Sequence, residues 1–237
     1  MTTITNSHLR PHLKKDEVNN CGLPGEGLRK NYWDQYYANT KKINVPSQFA
    51  AFIANEFIDF PLIIDIGCGN GRDTQFFSYL GFNTIGIDGS LSAIDYCKEN
   101  TFNSDNVPKK NTFLQYDIAE LYQDDAFIDS IHSTQKIFYS RFFLHAINPA
   151  EEECLFQFIK KSSRAGDFIC LEFRTSWDEN RSKVTGAHYR RYINVDQMLK
   201  SIHSLMNLEL IYLTEGLGLA KYKLDDAHVC RTVLKVN

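Results

Sequence analysis

No apolar run in this 237-residue chain approaches the roughly 18 to 20 residues that a membrane-spanning helix needs. Residues Met1 to Arg10 are polar and lack an apolar signal core, so the expected setting is soluble, reducing and cytoplasmic. Excess charge is small too. With 26 basic and 29 acidic side chains the net charge is −3, too little of either sign to hold a polyanion such as DNA, although a local basic patch could grip a small anion. Cys21, Cys68, Cys97, Cys154, Cys170 and Cys230 form no C-x-x-C pair and no regular spacing, which suggests neither a disulfide framework nor a metal site. There is no internal repeat. What remains is 43 % hydrophobic and 23 % charged, the balance of one large globular domain around one core.

The most informative stretch is Leu62-Ile63-Ile64-Asp65-Ile66-Gly67-Cys68-Gly69-Asn70-Gly71-Arg72-Asp73. An apolar run ending in an acid, then glycine at alternate positions, reads as a buried parallel strand, a tight turn and a helix start. Glycine tolerates positive φ and lets a ligand lie against the main chain, while free N–H groups at the helix start face that ligand.

Around it the chain alternates. Arg29 to Asn39 is a short helix whose i, i+4 spacing sets Tyr32 beside Tyr36 and Trp33 beside Tyr37. Pro46 and Ser47 open a helix carrying Phe49, Phe52, Ile53 and Phe57, and Pro61 precedes the first strand. Asp73 to Leu80 is helical with Gly81 as its cap, Asn83 to Asp88 is a second strand, and Ser90 caps a helix through Cys97. Strands follow at Thr112 to Tyr116, Lys136 to Ser140 and Asp167 to Phe173, with a helix from Pro149 to Lys161. After a polar insert, Arg174 to Tyr192, come a helix from Val195 to Leu205 and two β-rich runs, Leu208 to Thr214 and Val229 to Val236. The alternation specifies an α/β sheet with right-handed crossovers, and the final pair predicts a hairpin that places an antiparallel strand at the sheet edge.

The spacing G-x-G-x-G, Asp65 in the strand end, Asp88 closing the next strand and Asp117 after the third resemble the class I S-adenosylmethionine-dependent methyltransferases. The resemblance runs from about Arg29 to Asn237, on the motifs D-I-G-C-G-N-G and I-G-I-D. It implies a Rossmann-like, seven-stranded, mostly parallel sheet with an antiparallel last strand and helices on both faces. It also implies a methyltransferase domain over 29–237; within the chain, the Asn-, Thr-, Lys- and Gly-rich residues 1–28 read as a mobile arm, the helices over 29–60 as a lid, and the long cationic segment 174–192 as an acceptor-side insert. S-adenosylmethionine is the implied cofactor. Asp65, Gly67 and Gly69 would line its methionine end, Asp88 its ribose hydroxyls and Asp117 its adenine amino group, with Ile118 packing on the ring. Tyr36, Cys68, Asn70, Arg72, Gly89 and Ser90 complete the implied contacts. Asp117 also reads as a plain helix cap.

The acceptor side leaves alternatives open. Methyl transfer from an activated sulfonium mainly needs alignment, and an alcohol acceptor also needs its proton removed. His145 and Glu172, after the fourth and fifth strands, are candidate bases, while a histidine within the apolar segment Phe142 to Ile147 also reads as a packed core side chain. Arg141, Arg174, His188, Arg190 and Arg191 favour an anion that would need no base, or else a solvated loop whose arginines pair with Asp178 and Glu179. The motifs Tyr139 to Ala146, Leu171 to Arg174 and His188 to Arg191 resemble methyltransferases of surface-polysaccharide loci, including those acting on phosphate or phosphoramidate groups. That resemblance implies O-methylation of an anionic small molecule or glycan precursor. The alternatives are a neutral hydroxyl or amine acceptor with His145 or Glu172 as base, and a non-catalytic S-adenosylmethionine-binding subunit. No nucleic acid, membrane insertion or metal is expected.

Overall fold

The computed structural model describes residues 26–39, 45–100, 111–183 and 188–237. Most of the arm expected over residues 1–28 and the Pro108 loop lie outside them, although the first helix, α1 (Glu26–Asn39), takes in the last three residues of that arm. Ser47 accepts a hydrogen bond from the Ala50 amide and so starts α2 (Gln48–Glu56), as its hydroxyl predicts.

The sheet has seven strands: β1 (Leu62–Ile66), β2 (Asn83–Asp88), β3 (Asn111–Gln115), β4 (Lys136–Arg141), β5 (Phe168–Arg174), β6 (Leu208–Gly216) and β7 (Val229–Val236). Their order is β3-β2-β1-β4-β5-β7-β6. The first five are parallel, and β7 runs antiparallel to both neighbours. The terminal hairpin is present, but its antiparallel strand is internal. β7 inserts between β5 and β6, and β6 holds the edge. The burial pattern explains the placement: nearly every residue of β7 is buried, whereas most of β6 faces solvent.

Helices α3 (Arg72–Tyr79), α4 (Leu91–Glu99), α7 (Pro149–Ser162) and α8 (Val195–Leu205) fall within a residue or two of the sequence pattern. Two further helices, α5 (Ile118–Gln123) and α6 (Asp125–His132), stand between β3 and β4, where sequence periodicity marks none. Each is too short to display a repeating apolar stripe.

Strand alternation divides the core. Ile64, Phe138 and Ile169 point to the face covered by α5 to α8, while Ile63, Ile137 and Cys170 point to Phe49 and Ile53 of α2 and Phe77 of α3. The sheet is therefore sandwiched between two helical layers. Strand order reverses between β1 and β4, and in open α/β sheets the crevice beyond the strand ends at such a switch point receives ligands. Among the described residues no helix is long and apolar enough to cross a membrane.

Candidate active site

A cavity of 720 Å³ opens at that crevice. The turn from β1 to α3 forms its floor, with Gly67, Gly69 and Gly71 all at positive φ (77°, 54° and 72°). Its amides are largely spent on closing the turn. Gly67 and Cys68 both donate to the Ile87 carbonyl, and Gly71 donates to the Cys68 carbonyl. Gly69 donates to Asp88 Oδ2 at 2.8 Å. The expected row of free N–H donors is thus mostly internal, and the glycines serve close approach instead. A Cβ at Gly67 would stand 2.4 Å from the Phe143 ring, and one at Gly69 would stand 2.3 Å from the Tyr37 hydroxyl.

Carboxylates concentrate at this end. Asp65 is buried and accepts from Thr74 Oγ1 at 2.6 Å. Burial, then the neighbouring Asp73, pushes its pKa up to about 8. Asp73 accepts from the Ser47 amide, the Ser47 hydroxyl and the Tyr139 hydroxyl at 2.7, 2.7 and 2.8 Å. Asp88 takes the Ser90 amide at 2.9 Å as well as that of Gly69, and burial raises its pKa against both bonds. Two buried acids, Asp65 and Asp73, and the half-buried Asp88 share this floor with Arg72, whose Nε stands 3.6 Å from Asp73. Such a donor set fits a cationic ligand portion, and the raised pKa of Asp65 is the mark of a carboxylate short of a cation. S-adenosylmethionine, with its ammonium and sulfonium, has that character.

The aromatic helix α1 covers the turn. Its rings pair at the predicted spacing, Tyr32 with Tyr36 at 6.3 Å and Trp33 with Tyr37 at 6.0 Å. Asp34 Oδ1 accepts from Ser90 Oγ at 2.6 Å and from the Ser92 amide at 3.2 Å, tying the helix to the start of α4. His188, from the insert after β5, stacks on Tyr32 at 4.6 Å.

Of the residues named from sequence, Tyr36, Asp65, Gly67, Cys68, Asn70, Arg72, Asp88, Gly89, Ser90, Asp117, Ile118, Arg141, His145, Arg174, His188 and Arg190 line the cavity. Gly69 lies beneath its lining, under Tyr37. Two acceptor-side candidates stand outside it. Glu172 is buried between Arg141 Nε at 2.7 Å and Arg231 Nε at 2.6 Å, a counter-ion with both oxygens engaged. Arg191 turns away to Glu152 and to the Leu144 carbonyl.

The remaining acceptor-side groups are constrained. Arg174 bonds Asp178 at 2.6 Å and Asp225 at 2.7 Å, so its fork is occupied by two carboxylates. His145 Nδ1 accepts the Arg174 amide at 3.3 Å, which leaves the neutral ring its proton on Nε2. Burial, then Arg174, Arg190, His188 and Arg141, hold its pKa well below the usual histidine value. Phe142 adopts φ 57°, a left-handed conformation rare outside glycine, and its ring lies 4.2 Å from the Arg141 guanidinium and 5.4 Å from that of Arg174.

Sequence pattern missed several lining residues: Ser47, Asp73, Tyr37 and the loop Leu219 to Tyr222 with Asp225. Asp73 directly follows the glycine turn and was visible as an acid there, but its partners are 26 and 66 residues away in the chain. The loop before β7 carries no motif.

The family model of a methyltransferase domain matches residues 62–209. No curated protein matches the chain. Among solved structures, a SAM-dependent methyltransferase from Anabaena variabilis superposes with TM-score 0.69 at 19 % identity, covering 91 % of this chain and 96 % of that one. The glycopeptide N-methyltransferase MtfA in complex with S-adenosyl-L-homocysteine gives TM-score 0.59 at 12 % identity, covering 91 % and 98 %. A structure concerned with converting a disulfide bond into a thioacetal group during echinomycin biosynthesis gives 0.67 at 14 %, covering 88 % and 93 %. At these identities the likeness is one of fold.

Proposed function

Because the chain belongs to the methyltransferase-domain family, we propose that it transfers a methyl group from S-adenosylmethionine to an ionised oxygen of an anionic small molecule or glycan precursor, of phosphate or phosphoramidate type. When bound, the cofactor supplies a methyl group on a positively charged sulfur, already activated for displacement. Asp65 would hold its ammonium, Asp88 its ribose hydroxyls and Asp117 with Ile118 its adenine, while α1 excludes water above the turn.

The observation that carries the acceptor class is that the two side chains best placed to act as a base from their position in the sheet, Glu172 and His145, are already engaged by other groups. Glu172 is sealed between two arginines. Asp225 is held by Arg174, and Asp73 by Ser47 and Tyr139. His145 has its one neutral acceptor nitrogen filled by the Arg174 amide, so it donates from Nε2 rather than removing a proton. An oxygen that arrives ionised needs no base. It needs alignment and charge complementarity, which Arg141, Arg190 and the His145 N–H would supply.

The reading is tested by charge reversal at Arg190 with initial rates on phosphate-bearing acceptors. Arg190→Glu is expected to cut kcat/KM by about a hundredfold or more while S-adenosylhomocysteine binding persists. Unchanged turnover would remove the anion from the account.

A further inference from the structure

Two large apolar side chains stand exposed next to the two acids that hold one buried arginine, Arg174, which itself lines the cavity. Trp177 lies on the 3-10 turn Ser176–Asp178 and is 73 % exposed. Leu224 lies at the tip of a tight turn in which Tyr222 and Asp225 exchange backbone hydrogen bonds of 2.8 and 2.9 Å, and it is 93 % exposed. The residue after each is an acid on the same guanidinium: Asp178 takes Arg174 Nη1, and Asp225 takes Arg174 Nη2. Asp178 also receives the His228 amide at 2.9 Å, joining the two turns a second time. These tips are therefore displayed on a fixed base. Leu224 has the highest fractional exposure of the large apolar side chains among the described residues, and it is the cations beside these two tips that give their exposure a direction.

The flanking chemistry identifies the receiver. Lys221 and Lys223 bracket Tyr222, with the Lys223 ammonium 5.2 Å above its ring, and Lys221 and Tyr222 line the cavity itself. Arg181 leans on the same loop through the Asp226 carbonyl. Among nearby acids, Asp178 and Asp225 are spent on Arg174, and Asp226 accepts the Gly218 amide at 2.7 Å, leaving Glu179 exposed on the turn. Lone projecting knobs do not make the flat patch of several hundred Å² that a protein partner buries. They suit a deformable interface, where tryptophan rests at headgroup depth, leucine reaches the acyl boundary and lysines meet anionic headgroups.

We propose that the tips bearing Trp177 and Leu224 seat this protein on an anionic lipid surface, with the cavity mouth beside the bilayer. The surface is separate from the methyl-transfer reading, and its test uses no methyl donor. Full-length protein is sedimented with vesicles of phosphatidylglycerol and phosphatidylcholine, or of phosphatidylcholine alone, and tryptophan emission is followed on the same samples. Expected are cosedimentation with the anionic vesicles, weakened by salt, and a blue shift that Trp177→Phe abolishes while Trp33 remains. The double variant Trp177→Ala/Leu224→Ala, altered only at exposed positions, is expected to bind at least about tenfold more weakly. Failure to sediment with anionic vesicles, equal sedimentation of the double variant, or a self-associated form that the double variant dissolves would each overturn the proposal.

Discussion

Asp65 should make cofactor binding release a proton. Its carboxyl titrates at about 8, raised first by burial and then by Asp73. At pH 7 the protonated form then outweighs the ionised form by roughly ten to one, and ionising it costs about 1.4 kcal/mol. A ligand ammonium placed against this carboxyl favours the ionised form. The sign follows: the free protein holds the proton more tightly than the complex, so binding strengthens as pH rises towards 8 and weakens below it. Titration calorimetry of S-adenosylhomocysteine at pH 7, in buffers of differing ionisation heat, should report close to one proton released per site, and affinity should be about tenfold below its value at the higher-pH plateau. Asp65→Asn removes this release and flattens the affinity profile. The ligand's own titration is common to both proteins, and so is any contribution of Asp88, whose pKa is raised as well. Equal proton release by both proteins, or none by the wild type, would refute the reasoning.

Other outcomes follow from the same geometry. A carboxyl with a raised folded-state pKa costs stability as pH climbs from its unfolded value towards about 8, so the cofactor-free protein should melt at falling temperature from pH 5 to 8, with Asp65→Asn showing a flatter trend by calorimetry. Glu172→Gln leaves Arg141 and Arg231 without their shared counter-ion and should lower stability by about 3–5 kcal/mol in urea melts, the mark of a structural group rather than a base. His145→Gln keeps a donor near the Nε2 position and should retain activity within about tenfold, with no rising limb near pH 6 in kcat/KM; complete loss with a newly visible limb would restore the base. Phe142→Gly should change stability by less than about 2 kcal/mol, because relief of left-handed strain offsets lost packing, while raising the acceptor KM about fivefold through the freed guanidiniums.

The legible parts of this protein were those whose cause is local. The buried run of β1, its glycine turn and Asp88 five residues after a strand start lie within 27 residues, and each is recognisable from its neighbours alone. Ring pairing in α1 follows from helical periodicity. What escaped depends on distant partners. Arg190 and Arg191 are adjacent in sequence, yet one lines the cavity and the other turns to Glu152, 39 residues away. Glu172 looked like a base because its sheet-edge position was visible, whereas Arg231, 59 residues on, was not visibly its partner. The edge position of β6 likewise depends on β7 returning between strands, which a hairpin signal alone does not specify.

The central claim is methyl transfer to an anionic oxygen, and it is tested most directly by incubating the purified protein with isotopically labelled S-adenosylmethionine and a cell extract, then locating the label by mass spectrometry. The account predicts label in an ester or related derivative of an acidic compound, with one negative charge fewer than its parent. Label confined to neutral alcohols or amines, or no label at all despite cofactor binding, would contradict it.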